Sequence, residues 1–379
     1  MRSFLITALS IVCVCLACIV YVETVGSRLD CTALYCPAPP LCDQATRTFS
    51  QRVVCGLGKS PLKPGSKEFR AYVVTRLHGF VKESLKGQLM APAVVEMVEY
   101  KLHHPYEPMV LHFAGDNGVG KTRLAELISL AYGQRCGDEL CTVGDSTLVL
   151  SGTGYDGLST AEFRKAVVEL VTRHARRHPR DGVVVINELS SLEPGKVRVL
   201  LPLLGRASEF PEHFDVKIST QLVVLTTDFG REGRTRGKGL SEMRSFINSE
   251  FTDLYSAQFA SHVRTLPFLP ISLDTAGEIV RVVAKEIGCS ATPPVRLAIT
   301  DTAVLWLVEK TKGSLAVENG RAVAQETKLH VGSLMERLQA DEASHPSSKT
   351  LRPRDGAANC SVPACNIYVD DGGQIGLAC

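Results

Sequence analysis

Apolar residues along this chain switch between distinct spacings, and the switches divide it into segments. Phe4 to Val22 is one continuous uncharged run. From Gly87-Gln88 onward, Val94, Val95 and Met97 mark a helix toward His104; Pro92 suits its first turn, and Pro105 and Pro108 end it. Met109 to Ala114 then makes a short buried strand, and Leu124, Leu127, Ile128 and Ala131 return to helical spacing up to Gly133. Thr147 to Leu150, Val183 to Ile186 and Leu222 to Leu225 each read as a further buried strand. Between the first two of these, Ser159 and Glu162 form a capping box for a helix with Phe163, Val167, Leu170 and Val171 on its buried face. Strands alternating with helices as far as Leu269 predict an α/β fold whose parallel strands end at a common edge.

After Pro270 the spacing becomes helical. Ile279, Val280, Val283 and Ile287 define a helix ending at Gly288, Asp301 caps a second that contains Val304, Leu305, Leu307 and Val308, and Arg321 to Leu338 makes a third. A polar link from Asp341 to Asn359 leads to a hairpin over Ile367 to Leu377. The expected organisation is therefore a signal anchor or signal peptide over residues 1–30, a Cys-rich extension over 31–83 with one helix from Lys67 to Leu85, an α/β domain over 84–270, and a small helical domain with its link and hairpin over 271–379.

At 379 residues and 45% hydrophobic content, the chain can bury more than one core. Its 42 basic and 40 acidic residues nearly cancel, so nothing in the balance asks for a nucleic acid or an acidic membrane surface as partner. The Phe4–Val22 run, preceded by Arg2, is either the apolar part of a signal peptide or a membrane-spanning anchor; its length, with no small-x-small cleavage site after it, favours the anchor. On either reading the remaining chain enters the secretory system. Of the 13 cysteines, Cys13, Cys15 and Cys18 lie in the run and the others beyond it. An oxidising compartment makes disulfides the default. The competing reading, a thiolate metal site at Cys31, Cys36 and Cys42, matches no usual zinc spacing. Asn359-Cys360-Ser361 is a glycosylation sequon of the less common kind.

The chemistry concentrates between the first strand and its helix. Gly115-Asp116-Asn117-Gly118-Val119-Gly120-Lys121-Thr122 is a complete G-x-x-x-x-G-K-[ST]. Its glycines let backbone N–H groups and the positive end of the helix point at a phosphate, Lys121 would reach the β/γ-phosphates, and Thr122 would hold Mg²⁺. Two other strands end in polar residues: Asn187-Glu188, and Thr226-Thr227-Asp228. At a strand tip beside a phosphate loop, the first polar residue normally holds Mg²⁺ through water and the second activates the attacking water. Here the first is an amide. The helix before Val183 ends in Arg173-His174-Ala175-Arg176-Arg177-His178, which either faces solvent or touches phosphates.

With these motifs in order, the chain resembles an AAA+ ATPase of the Clp unfoldase branch, and within it the torsins, AAA+ proteins of the endoplasmic reticulum lumen and nuclear envelope. The resemblance rests on Gly87-Gln88 leading to GDNGVGKT, on VVVINELSSLEPG as the Walker B strand, on VVLTTDFG as the sensor 1 strand, on Leu266-Pro-Phe-Leu-Pro270 as the junction to the small domain, and on Asn319-Gly320-Arg321 as sensor 2. It spans roughly residues 84 to 340. It implies ATP and Mg²⁺ as cofactors, the 115–122 loop and Asn187 as nucleotide contacts, Glu188 as catalytic base, and Arg321 as the cation that reads the γ-phosphate. It also implies a protein substrate, assembly into a homo- or hetero-oligomeric ring, and a lumenal, membrane-anchored location. Gly154-Tyr155-Asp156-Gly157 resembles the pore loop of Clp unfoldases, with an ordinary turn as the equal alternative. Torsins take an arginine finger from a membrane-bound partner; here Ser261-His262-Val263-Arg264 stands where such a finger would lie.

Two departures bear on activity. The Walker B Asp is Asn187, and the sensor 1 Asn is Asp228. The swap keeps one carboxylate and one amide at neighbouring tips, so Asp228 would supply the charge that Asn187 lacks and join Thr122 at Mg²⁺; the alternative is degeneration, with a carboxylate repelling the γ-phosphate. Arg321 is closer to the Clp type than to the torsin Lys, and the torsin cysteine of that motif is absent. The function expected is ATP hydrolysis coupled to protein remodelling, the alternative a hydrolysis-deficient ATP-binding subunit, and a small-molecule kinase the distant third.

Overall fold

The computed structural model describes residues 35–44, 47–229, 235, 237–255, 263–292, 294–344 and 363–379. The apolar Phe4–Val22 run, Cys31, Ser261, His262, the sequon and most of the polar link lie outside these residues. Among the described residues no helix is long and apolar enough to cross a membrane.

Among the described residues three α-helices precede the sheet: α1 (Phe49–Gly56), α2 (Lys67–Ser84) and α3 (Ala91–His103). Then follow β1 (Met109–Gly115), α4 (Lys121–Tyr132), β2 (Thr147–Ser151), α5 (Thr160–Arg177), β3 (Val183–Asn187), α6 (Pro194–Val199), β4 (Leu222–Asp228), α7 (Leu240–Tyr255) and β5 (Arg264–Phe268). The five strands pair in the order β2-β3-β4-β1-β5 and are all parallel. Side-chain alternation splits the strand residues between two layers. Val110, Val184, Ile186, Val223 and Leu225 face Phe163, Val167, Val171, Met243, Ile247 and Phe251 from α5 and α7. Leu111, Phe113, Val183, Val185, Leu222 and Val224 face Leu124 and Ile128 of α4 together with Val94 and Val98 of α3 and Phe69, Val73, Leu77 and Val81 of α2. The helix α2, part of the Cys-rich extension in the sequence, is thus built into this core. The capping box at Ser159 and Glu162 forms, with both reciprocal bonds.

The small domain holds α8 (Leu273–Ser290), β6 (Arg296–Ile299), α9 (Asp301–Glu318), α10 (Gly320–Thr327), α11 (Ser333–Ser344), β7 (Ala364–Val369) and β8 (Ile375–Ala378). It is less purely helical than the sequence suggests. The expected hairpin is β7–β8, antiparallel, but β6 pairs with β7 in parallel and makes a three-stranded sheet. The cap of α9 is Thr300, whose hydroxyl accepts from Ala303 N–H (3.3 Å), while Asp301 opens the helix and pairs with Arg281. The helix expected from Arg321 to Leu338 is broken by a π-turn over Lys328–Gly332. Hydroxyls of Thr327 and Ser333 donate back to the carbonyls of Val323 and Leu329, and such back-bonds compete with the helical ladder.

The described cysteines form four disulfides. Cys42–Cys55, Cys136–Cys141 and Cys365–Cys379 close local loops, whereas Cys36–Cys289 joins the extension to α8 across 253 residues. Among the described residues no three His, Cys, Asp or Glu side chains gather to hold a metal.

Candidate functional site: a cleft between two domains

The glycine loop leaves β1 at Gly115 and enters α4 at Lys121. Gly118 (φ +72°) and Gly120 (φ +102°) take left-handed conformations that a side chain would strain. Gly118 is also closely covered: a Cβ there would strike the carbonyl of Glu318 and sit 3.0 Å from Cβ of Arg321, so the loop lies directly against the small domain. Lys121 is 6% exposed. Its Nζ donates to the carbonyls of Gly115 (3.1 Å) and Asp116 and lies 2.5 Å from Oδ1 of Asp228. Burial pulls the ammonium below its usual pKa, and the Asp228 carboxylate pulls the other way. The Asp116 carboxylate accepts from the buried hydroxyl of Thr235 (2.5 Å to Oδ1).

The tips of β3 and β4 are joined by Thr226. Its hydroxyl donates to Oδ1 of Asn187 (3.2 Å) and accepts from the backbone N–H of Glu188 (3.1 Å). Glu188 has φ +56°, a conformation that costs a non-glycine residue about 1 kcal/mol or more. Its carboxylate accepts from the hydroxyl of Thr153 (3.3 Å) in the turn after β2. Thr226 and Thr153 have no motif to announce them; only the meeting of three strand ends gives them a role.

Gly118, Gly120, Lys121, Glu188, Thr226 and Asp228 line one cleft of about 360 Å³, while Gly115, Asp116, Thr153 and Asn187 stand behind its wall. Lys121, Thr122, Glu188, Asp228 and Arg321 form its polar end, while Leu85, Ile271, Ile279, Val282 and Val283 form apolar walls at the domain junction. Such a division suits a ligand with an anionic end and a flat apolar body. Arg321 is near enough to lower the Lys121 pKa further, and it has no ion-pair partner among the described residues. Two amide side chains hold the junction. Gln88 donates to the carbonyls of Val119 (3.1 Å) and Leu269 (2.9 Å) and accepts from Leu269 N–H. Asn319 donates to the carbonyl of Asn117 and accepts from Ile271 N–H, both at 3.0 Å. Mg²⁺ would find the Thr122 hydroxyl and the Asp228 carboxylate here, with Glu188 also on the wall, whereas Asn187, bonded to Thr226, is not among the lining residues. Few protein ligands suit an ion that keeps waters and phosphate oxygens, so the donor set fits.

Two sequence candidates stand apart from the cleft. The ring of Tyr155 packs edge-on against Phe163 with centroids 5.1 Å apart. Arg264 begins β5 opposite Leu111, whereas the cleft lies at the Gly115 end, so this guanidinium is remote from it.

No protein-family model matches the chain, and no curated protein matches it. Among solved structures it is similar to a closed-state cryo-EM reconstruction of Hsp104 with ATPγS and FITC casein, at TM-score 0.55 and 18% identity, over 87% of this chain and 54% of that one. The chain therefore spans about half the length of the protein it matches. At this identity the likeness shows a shared fold.

Proposed function

We propose that the chain is a torsin-like AAA+ ATPase that hydrolyses ATP and uses the cycle to remodel or unfold protein substrates. The observation that carries this reading is the convergence of Lys121, Thr122, Glu188, Asp228 and Arg321, from both domains, on one cleft. Binding begins with an exchange: the triphosphate offers Lys121 new anionic partners, and the ammonium gives up Asp228. The released carboxylate then adds a negative charge beside Thr122, where Mg²⁺ would contribute its charge to the phosphates. Glu188 is the only carboxylate of the cleft at the β3 tip, and it serves as the base toward a water once it leaves Thr153. Arg321 reaches the γ-phosphate from the small domain, so loss of that phosphate loosens the two domains.

Substrate, ring assembly and an activator that supplies an arginine finger belong to the same proposal. Its support is the fold shared with Hsp104, whose reconstruction contains casein, together with the distance of Arg264 from the chain's own cleft. A lumenal location, in the endoplasmic reticulum or nuclear envelope and anchored through residues 4–22, is proposed from the apolar run and the disulfides. A hydrolysis-deficient ATP-binding subunit is the second reading, favoured by the amide at Asn187 and by the Asp228 carboxylate held on Lys121.

Mg²⁺-ATP binding and turnover by the chain made in an oxidising host distinguish the two. In the active enzyme Glu188→Gln abolishes turnover and keeps binding, Asn187→Asp lowers turnover, and Asn187→Asp with Asp228→Asn restores it. Tight binding without turnover, alone and with a native membrane extract, would establish the binding subunit instead.

A further inference from the structure

The basic end of α5, which the nucleotide site leaves unused, borders a second and larger cleft of about 830 Å³. It lies where β2 and β3 begin, at the sheet edge opposite the nucleotide. Three segments wall it: the loop after α1, the loop after α4 that Cys136–Cys141 closes, and the turn between α5 and β3. They contribute Lys63, Arg135, Arg177 and Arg180, none of which pairs with a carboxylate among the described residues. The two acids of the wall are already engaged. Asp145 accepts from the backbone N–H groups of Gln134 (3.2 Å) and Arg135 (3.4 Å), and Asp181 lies 3.4 Å from Nδ1 of His178. The cleft is therefore electropositive, and its walls focus that field.

Two of the cations are held in place before any ligand arrives. Nη2 of Arg135 donates to the carbonyls of Cys55 (2.9 Å) and Lys59 (2.6 Å), in the segment that Cys42–Cys55 staples. Arg180 runs across Gly65, where a Cβ would sit 3.1 Å from its Cδ, and Nη2 reaches the Tyr106 hydroxyl at 3.4 Å. Guanidinium groups fixed in this way match the planar, multidentate geometry of phosphate oxygens and lose little freedom on binding them.

We propose that this cleft binds a small phosphate-bearing polyanion, either free in solution or as the headgroup of a lipid. The test uses the full chain in neutral detergent micelles with Lys121→Ala, which disables the phosphate loop as a competing site. The probes are tripolyphosphate in solution and a phosphoinositide doped into the micelles. At least one should bind, more weakly as salt rises, and Arg177→Gln with Arg180→Gln should weaken it about tenfold or more. Binding of tripolyphosphate alone assigns the free anion, and binding of the doped lipid alone assigns the headgroup. Absence of binding by either probe, or binding that the double substitution leaves unchanged, overturns the proposal. ATP affinity of the same double variant with Lys121 intact reports whether its fold is kept.

Discussion

Asn319 of the small domain reaches into the phosphate loop, its Nδ2 donating to the carbonyl of Asn117 at 3.0 Å. The same amide accepts from Ile271 N–H at the domain junction, and the residue is 2% exposed with φ +49° and ψ −134°, outside the left-handed helical region and sparsely populated by residues other than glycine. Loop and junction thus share one side chain at the start of α10. Asn319→Ala leaves two backbone groups without their partner, at a cost of about 1–3 kcal/mol each where they stay buried. ATP affinity should fall about tenfold, the equivalent of roughly 1.4 kcal/mol. Titration with a fluorescent ATP analogue, beside urea denaturation, checks both effects. Unchanged affinity would mean that loop and small domain are not coupled through this residue.

Recognition of the loop from sequence and invisibility of Asn319's role have one physical cause. The run from Gly115 to Thr122 is contiguous, and its backbone conformation is dictated locally by glycine, so the sequence displays it. The strands β1, β3 and β4 show equally well, because their apolar runs are buried on both faces, whereas the edge strand β2 is only partly buried and β5 does not read as a strand. Asn319, Thr226 and Thr153 are short polar residues whose partners lie on other elements, and nothing in their neighbours announces a hydrogen bond. The four residues of β6 are too few to establish a period, and they pair with a strand that begins at Ala364. Pairing of Cys36 with Cys289 was beyond spacing alone, since ten cysteines past the apolar run allow many connectivities.

Asp228 occupies the Lys121 ammonium that the proposed nucleotide would need. The pair is 2.5 Å apart, with Lys121 buried and Asp228 30% exposed, so solvent screens part of the attraction. Asp228→Asn should tighten ADP binding in the absence of Mg²⁺ by about three- to tenfold, corresponding to roughly 1 kcal/mol. The same change removes the carboxylate proposed beside Thr122, so Mg²⁺-dependent turnover should drop. Calorimetric titration with and without Mg²⁺ separates the effects. Weaker Mg²⁺-free binding in the variant would instead show that Asp228 holds Lys121 in its receptive position.

Cys36–Cys289 links the domains by a route independent of the Ile271 junction. The strand-like segment after Cys36 is fixed to the large domain: Arg76 donates to the carbonyls of Ala38 (3.0 Å) and Pro39 (2.9 Å), and the Tyr72 hydroxyl accepts from Leu41 N–H (3.2 Å). Cys36→Ser with Cys289→Ser should cost about 2–4 kcal/mol of stability under oxidising conditions. Its unfolding midpoint should fall accordingly in denaturant. If the midpoint stays unchanged, the neighbouring Lys285–Glu83 pair (2.9 Å) and the apolar junction suffice to hold the small domain.

His112 makes stability depend on pH in a defined direction. It lies fully buried in β1, between β4 and β5, with Nε2 2.9 Å from the Thr227 hydroxyl on β4 and Nδ1 3.2 Å from the Thr265 hydroxyl on β5. Its ring packs on Phe251 with centroids 4.3 Å apart. Burial, helped by the charge of Lys121, holds its pKa down to about 3, against 6.5 for an unperturbed imidazole. Below pH 6.5 the unfolded chain therefore takes up a proton that the native protein refuses. The contribution is complete above that pH and is lost as pH falls toward 3, by up to about 1.4 kcal/mol per pH unit. His174, held near 4 mainly by burial, acts in the same sense. His112→Gln should lower stability at pH 7.5, because its amide cannot fill the same space between the two hydroxyls. Yet it should lose less stability than the wild type between pH 6.5 and pH 5, the slope being reduced by up to one proton. Urea unfolding across that interval measures both slopes, and parallel curves would mean that the native imidazole accepts the proton despite its burial.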